Sequence, residues 1–170
     1  MQHSDYIAFR REYHPANVQL IIVAESPPVS GLYFYNRDGV VSEPLFSALA
    51  EQAGLKPTSK EEGLRALQAK GWLLVDATYE PVNSYDSTKR DAIIVRDYPR
   101  LRDDLLSLTQ DRSASIILVK ANVCALLGSR LTTDGFKVLN RGQTIYFPSH
   151  GQQGRFRAQF ADVLRTHSSL

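Results

Sequence analysis

Val18-Gln19-Leu20-Ile21-Ile22-Val23-Ala24-Glu25-Ser26-Pro27-Pro28 is the stretch on which the fold turns. Val18 to Ala24 is apolar and partly β-branched, which predicts a buried strand. It stops at Glu25-Ser26 and two prolines, where a ladder cannot continue and a loop begins. Working outward, Trp72 to Val75 predicts a second short buried strand that ends at Asp76. Ser115 to Val119 predicts a third, ending at Lys120. Thr144 to Phe147 predicts a fourth, ending in Pro148-Ser149-His150-Gly151.

Helical patterns lie between these runs. Leu45, Phe46, Leu49 and Ala53 share one face of a helix over Glu43 to Ala53, closed by Gly54. Ser59 with Glu62 makes a capping-box start for a helix that ends at Gly71. A longer helix is expected over Asp91 to Thr109, bent or split near Pro99, and shorter ones over Ala121 to Gly128 and Gly154 to Arg165. Strands alternating with helices predict an α/β fold. The expected form is a three-layer α/β/α sandwich around a mostly parallel four-stranded sheet, in one domain spanning residues 1–170.

Composition narrows the function classes. The chain has 170 residues, 43% hydrophobic and 22% charged, which sets aside disorder and fibrous repeats. No apolar run approaches the roughly 18 residues of a membrane span, and Met1 to Asp5 does not begin a secretory signal. One cysteine, Cys124, excludes an internal disulfide and any all-cysteine zinc or iron–sulfur site. No His pair has metal-ligand spacing, so neither metal nor cofactor is expected. A cytoplasmic monomer without membrane contact is expected. Residues 1–85 carry seven Lys/Arg against ten Asp/Glu, and residues 86–170 carry thirteen against eight. That asymmetry suits an anionic partner facing the C-terminal half, although solvated helix faces give the same pattern.

In parallel α/β sheets, ligands bind outside the carboxyl ends of the strands. The four expected strand exits carry Glu25-Ser26, Asp76, Lys120 and Ser149-His150, so these residues should converge on one edge. Glu25 can position water or stabilise positive charge, or it can brace the loop. Ser26 lacks the Gly-x-Ser-x-Gly elbow of a serine hydrolase. His150 can donate to a leaving group or anion, or cap loop backbone. Gly151 to Arg157 offers amides at a helix start and two arginines, which suits phosphate. Tyr33-Phe34-Tyr35 is either a hydrophobic plug or a stacking platform.

Together these pieces resemble the uracil-DNA glycosylase superfamily. Ala24-Glu25-Ser26-Pro27-Pro28 is similar to its first motif, of the Gly-Glu-Ala-Pro-Gly kind. Gly31 to Asn36 resembles the segment whose aromatic stacks on the extruded base, with Phe34 the best match. Trp72 to Asp76 resembles the strand whose last residue faces the base, and Ser149-His150-Gly-Gln-Gln resembles the second catalytic motif, of the His-Pro-Ser kind. The order is the family's, over about residues 18–165. Ser26 stands where several branches carry Asp or Asn, and Asp76 where uracil-specific members carry Asn.

The resemblance implies a cluster-free, monofunctional DNA glycosylase of base excision repair. It would hydrolyse the N-glycosidic bond of a flipped-out deaminated or damaged base, of the uracil or hypoxanthine type. Glu25, with Ser26 beside it, would face the sugar's positive charge, and His150 would donate to the departing base. Phe34, Asp76 and Asn83 would hold the base. Lys120, Ser149, Gln152, Arg155 and Arg157 would contact DNA. An ionised aspartate only accepts hydrogen bonds and would repel a base carbonyl. Unless Asn83 or a backbone N–H of the 77–84 loop supplies a donor, uracil is therefore not expected to be the sole or best substrate, and a deaminated purine such as hypoxanthine is at least an equal candidate. The other reading is that Asp76 turns away to cap its loop and never meets the base. The alternatives are a catalytically silent nucleic-acid or nucleotide-binding domain and a hydrolase of free nucleosides.

Overall fold

Among the described residues, four strands and six helices form in the order α1 (His3–Glu12), β1 (Leu20–Ala24), α2 (Pro44–Gln52), α3 (Lys60–Lys70), β2 (Trp72–Asp76), α4 (Ser87–Thr109), β3 (Ser115–Leu118), α5 (Ala121–Thr133), β4 (Lys137–Val138) and α6 (Gln153–Thr166). This computed structural model describes residues 1–167. The sheet has the order β2-β1-β3-β4 and every pair is parallel. Helices cover both faces, which gives the expected three-layer α/β/α architecture. Phe46 and Leu49 of α2, Leu64 and Leu67 of α3, and Phe160 of α6 belong to the layer that meets Ile22, Trp72 and Leu74. In the other layer α4 packs on α5, which lies against β3 and β4.

Local chemistry explains the element ends. Ser59 Oγ accepts from Glu62 N–H at the start of α3, while the Glu62 carboxylate turns to Thr58. Gly71 closes the helix at φ +82, and a Cβ there would sit 2.6 Å from the Asn17 carbonyl. Asp86 Oδ1 accepts from Lys89 N–H, so α4 begins at Ser87 rather than Asp91, and it runs as one helix through Pro99. On the open side of β2, the Tyr35 hydroxyl accepts from Leu74 N–H (2.7 Å) and donates to Leu74 C=O (2.9 Å). Tyr35 thereby blunts an edge that would otherwise offer unpaired backbone.

The fourth strand is a correction. Thr144 to Phe147 forms no ladder; the edge of the sheet is Lys137–Val138, paired with Ser115 and Ile116. The 144–147 run alternates because Ile145 is fully buried and Phe147 half-buried, while Thr144 and Tyr146 are exposed. It is tied instead to the residue two past β3, where Lys120 N–H donates to Ile145 C=O (2.8 Å). Asn140 occupies the place where a longer strand would pair. Its Oδ1 accepts from Leu118 N–H and its Nδ2 donates to Leu118 C=O, both at 2.9 Å. Asn140→Ala is expected to leave the Leu118 N–H unpaired in the core and its carbonyl with only the weak Cys124 thiol donor (3.4 Å), and to cost about 2 kcal/mol, read as a lower urea midpoint.

Candidate active site

Parallel pairing fixes where the polar exits meet. Ala24 is in register with Asp76, and Val23 with Leu118, so the residues that follow emerge side by side. Ala77 N–H donates to Ala24 C=O and Thr78 N–H to Glu25 C=O, which carries the alignment past the strand ends. Between them and the loop after β1 lies a cleft of about 320 Å³, within the range of small-molecule sites. Glu25, Ser26, Phe34, Asp76, Asn83 and Lys120 all line it. Glu25, Ser26, Asp76 and Lys120 come from three of the four expected strand exits, and Phe34 and Asn83 join them from the loops after β1 and β2.

Glu25 is buried and fully engaged. Lys120 Nζ donates to its Oε1 (2.6 Å), Asn122 Nδ2 donates to its Oε2 (2.7 Å), and Arg90 Nε stands 3.8 Å from Oε2. Lys120 reaches it from a backbone at φ +91 and ψ 138, a region that side-chain-bearing residues rarely adopt. The conformation is held by the bond from Lys120 N–H to Ile145 and by the pair with Glu25. Ser26 Oγ accepts from Val82 N–H, and Asn83 Oδ1 accepts from Val29 N–H, so each ties one cleft loop to the other. Asn83 can still offer its two Nδ2–H donors to a ligand.

Asp76 differs from Glu25 in having no cation at bonding distance. It is 4% exposed, and its Oδ2 has no hydrogen-bond partner among the described residues. Burial pushes its carboxyl up to about 7; the Glu25 carboxylate adds to the shift and Arg10 opposes it. Arg10 is itself committed, with both Nη atoms on Asp104 at 2.7 and 2.8 Å.

The aromatic segment divides between its two readings. Tyr33 and Tyr35 are plugs, with Tyr33 edge-on to Tyr6 and Tyr35 on the Leu74 backbone. Phe34 packs against Tyr35 and Phe46 and lines the cleft; Tyr33 borders it too, but Phe34 is the more exposed of the two.

The fourth exit falls outside. Phe147 lines the cleft, but Ser149 and His150 are exposed in the following turn and neither belongs to the cleft wall. Gln152 N–H donates to Ser149 C=O within that turn, and Gln152 Oε1 is buried without a partner among the described residues. Arg155 lies over the Tyr146 ring (5.0 Å), and Arg157 is paired with Glu51 (2.8 Å). The Lys120 ammonium is spent on Glu25 inside the cleft.

Sequence reasoning missed Asn122, Arg90, Glu43 and Lys60. Asn122 stood two residues past a strand exit and was within reach of that argument; the others come from helices and a loop with no such marker. Among the described residues no group of three or more His, Cys, Asp or Glu could hold a metal ion, and no helix is long and apolar enough to cross a membrane. Comparison with protein-family models and with curated protein sequences returns no match.

Proposed function

We propose that the protein is a DNA glycosylase that hydrolyses the N-glycosidic bond of a deaminated or damaged base extruded from DNA. The observation that carries this reading is the shared cleft. One wall holds an aromatic face, Phe34, and the strand exits that meet it hold Glu25 and Asp76. A base needs a stacking surface and polar groups at its edge. The sugar from which it departs needs negative charge near C1′, because the transition state is oxocarbenium-like.

In the proposed reaction the C1′–N bond breaks and its electron pair leaves with the base. Water adds its oxygen to C1′; one of its protons ends on the base and the hydroxyl stays on the sugar. Glu25, held in place by Lys120 and Asn122, stabilises the sugar's positive charge and orients the water. Phe34 stacks on the base. In this reading Tyr146, Arg155 and the turn from Ser149 to Gln152, close in sequence to Phe147 of the cleft wall, meet the DNA backbone.

Single-turnover cleavage of duplexes carrying uracil, hypoxanthine or xanthine tests the reading, with free nucleosides run in parallel. Glu25→Gln is expected to lower the cleavage rate about 100-fold while leaving DNA binding nearly intact. A second reading, a nucleotide-binding module without cleavage, draws on Ser26, whose hydroxyl is occupied by Val82 N–H. Binding of these duplexes with no cleavage of any of them would select it.

A further inference from the structure

The chain has six lysines, and among the described residues Lys120 is the one that belongs to the cleft wall. Its setting differs from that of Lys60, the other lysine paired with a buried glutamate. Lys60 has none of its side chain exposed, and its ammonium is divided between Glu43 and the Tyr33 carbonyl. Lys120 keeps 28% of its side chain exposed, and its Nζ has one acceptor among the described residues, Glu25 Oε1 at 2.6 Å. That pairing keeps the ammonium from a phosphate outside the cleft but uses one N–H of three. The other two are left for an occupant of the cleft.

The backbone departs from ordinary geometry to put this amine there. Lys120 sits at φ +91, where glycine is the usual occupant. The other two non-glycine residues with positive φ, Gln110 and Arg112, are exposed in the turn after α4; Lys120 holds its conformation at a strand exit. Its partner is also shared. Glu25 accepts from Asn122 Nδ2 (2.7 Å), and Arg90 Nε, buried without a hydrogen-bond partner among the described residues, stands 3.8 Å from Glu25 Oε2. The Lys120 amine thus has a carboxylate in contact with it, and that carboxylate keeps Asn122 and Arg90 when a proton moves between the two. A nucleophile with an adjacent base, in a partly closed cleft, is the arrangement that covalent catalysis needs.

We propose, taking the substrate from the glycosylase reading above, that Lys120 is a nucleophile toward the C1′ aldehyde left when the base departs, and that the protein cuts the DNA strand at the resulting abasic site by β-elimination. The sequence resemblance implies an enzyme that stops one step earlier. Glu25 takes one proton from the ammonium. The freed nitrogen pair bonds to C1′ of the ring-opened sugar, and the carbonyl π pair moves to oxygen. A second N–H proton and the one on Glu25 leave with that oxygen as water, so that a protonated imine joins Nζ to C1′. Glu25, ionised again, takes a proton from C2′. The C2′–H pair becomes the C2′=C3′ bond, and the C3′–O bond breaks with its pair leaving on the phosphate. Water then returns Lys120 as the ammonium and releases an unsaturated aldehyde, while the C2′ proton passes from Glu25 to solvent. Nothing is oxidised or reduced.

The test uses the full chain and a duplex with a pre-formed abasic site, so it does not depend on which base is excised. Sodium borohydride reduces an imine to a stable amine and fixes the protein to DNA. The adduct is read on a denaturing gel and its residue by peptide mass mapping; a duplex with tetrahydrofuran at the site, which has no aldehyde, is the blank. The wild type is expected to be trapped through Lys120 and to cut the abasic strand. Lys120→Arg keeps a cation against Glu25 but forms no imine, and is expected to lower adduct and incision by about tenfold or more. Circular dichroism checks the fold of the variant, and mapping of the wild-type adduct carries the test independently of it. Glu25→Gln is expected to slow incision by about 100-fold. No adduct, an adduct on another lysine or the N-terminal amine, or an undiminished adduct in Lys120→Arg overturns the inference. Wild-type incision by Glu25→Gln overturns the part given to Glu25. An adduct on Lys120 with no cleavage of uracil, hypoxanthine or xanthine duplexes supports the Lys120 assignment and overturns the glycosylase reading; base excision without an adduct does the reverse.

Discussion

Lys60→Met is expected to lower stability by about 3–5 kcal/mol, seen as a large drop in the guanidinium midpoint. The Lys60 side chain is completely buried, and its ammonium is bonded to the Tyr33 carbonyl (2.8 Å) and to Glu43 Oε2. Burial pulls that ammonium below its ordinary pKa, and Glu43 opposes the shift. Glu43 in turn accepts from Val40 N–H (3.1 Å) and borders the cleft. Gly39 is required beside the pair, since a Cβ there would lie 2.2 Å from Glu43 Oε1. Methionine keeps the volume of the lysine stem. It leaves a buried carboxylate without its cation and a buried carbonyl without its donor.

Breaking a buried pair from one side is costly, whereas replacing both partners with apolar groups is often close to neutral. Lys60→Met combined with Glu43→Leu should therefore recover much of the loss, and a double variant as unstable as the single one would show that the pair is not the source. The functional consequence lies one residue away. Lys60 grips the carbonyl of Tyr33, so the pair sets the path of the chain at Phe34, the ring that faces the cleft.

That clamp marks the limit of what the sequence discloses. Periodicity and end signals were enough for β1, β2, β3 and the layers, because Leu20 to Ala24, Trp72 to Asp76 and Ser115 to Leu118 are buried runs bounded by polar or proline residues. The strand-exit rule then placed Glu25, Asp76 and Lys120 in one cleft without any coordinates. It failed at the fourth exit for a definite reason. The two-residue β4 is too short to leave a pattern, and an extended segment that buries Ile145 and Phe147 alternates just as a paired strand does. Helix α1 was also missed, because its polar face dominates and only Tyr6 and Arg10 are buried. Lys60 and Glu43 sit on different elements seventeen residues apart, and their pairing depends on a loop path that no local pattern encodes.

Asp76→Asn is expected to make the protein more stable at neutral and alkaline pH, by on the order of 3–4 kcal/mol. The sign follows from the carboxyl's rise from an ordinary 3.8 to about 7 on folding. Between those values the native state binds a proton that the unfolded state has released, so wild-type stability falls as pH rises through the interval. It falls by roughly 1.4 kcal/mol per pH unit and levels off above the folded value. Asparagine has nothing to ionise, so the variant carries no such slope. Other titrating groups are common to both proteins and cancel in the difference. Guanidinium unfolding at about pH 5 and about pH 8 should show the advantage of Asp76→Asn widening by roughly 2–3 kcal/mol. An equal difference at both pH values would mean that Asp76 ionises in the folded protein as it does in the unfolded chain.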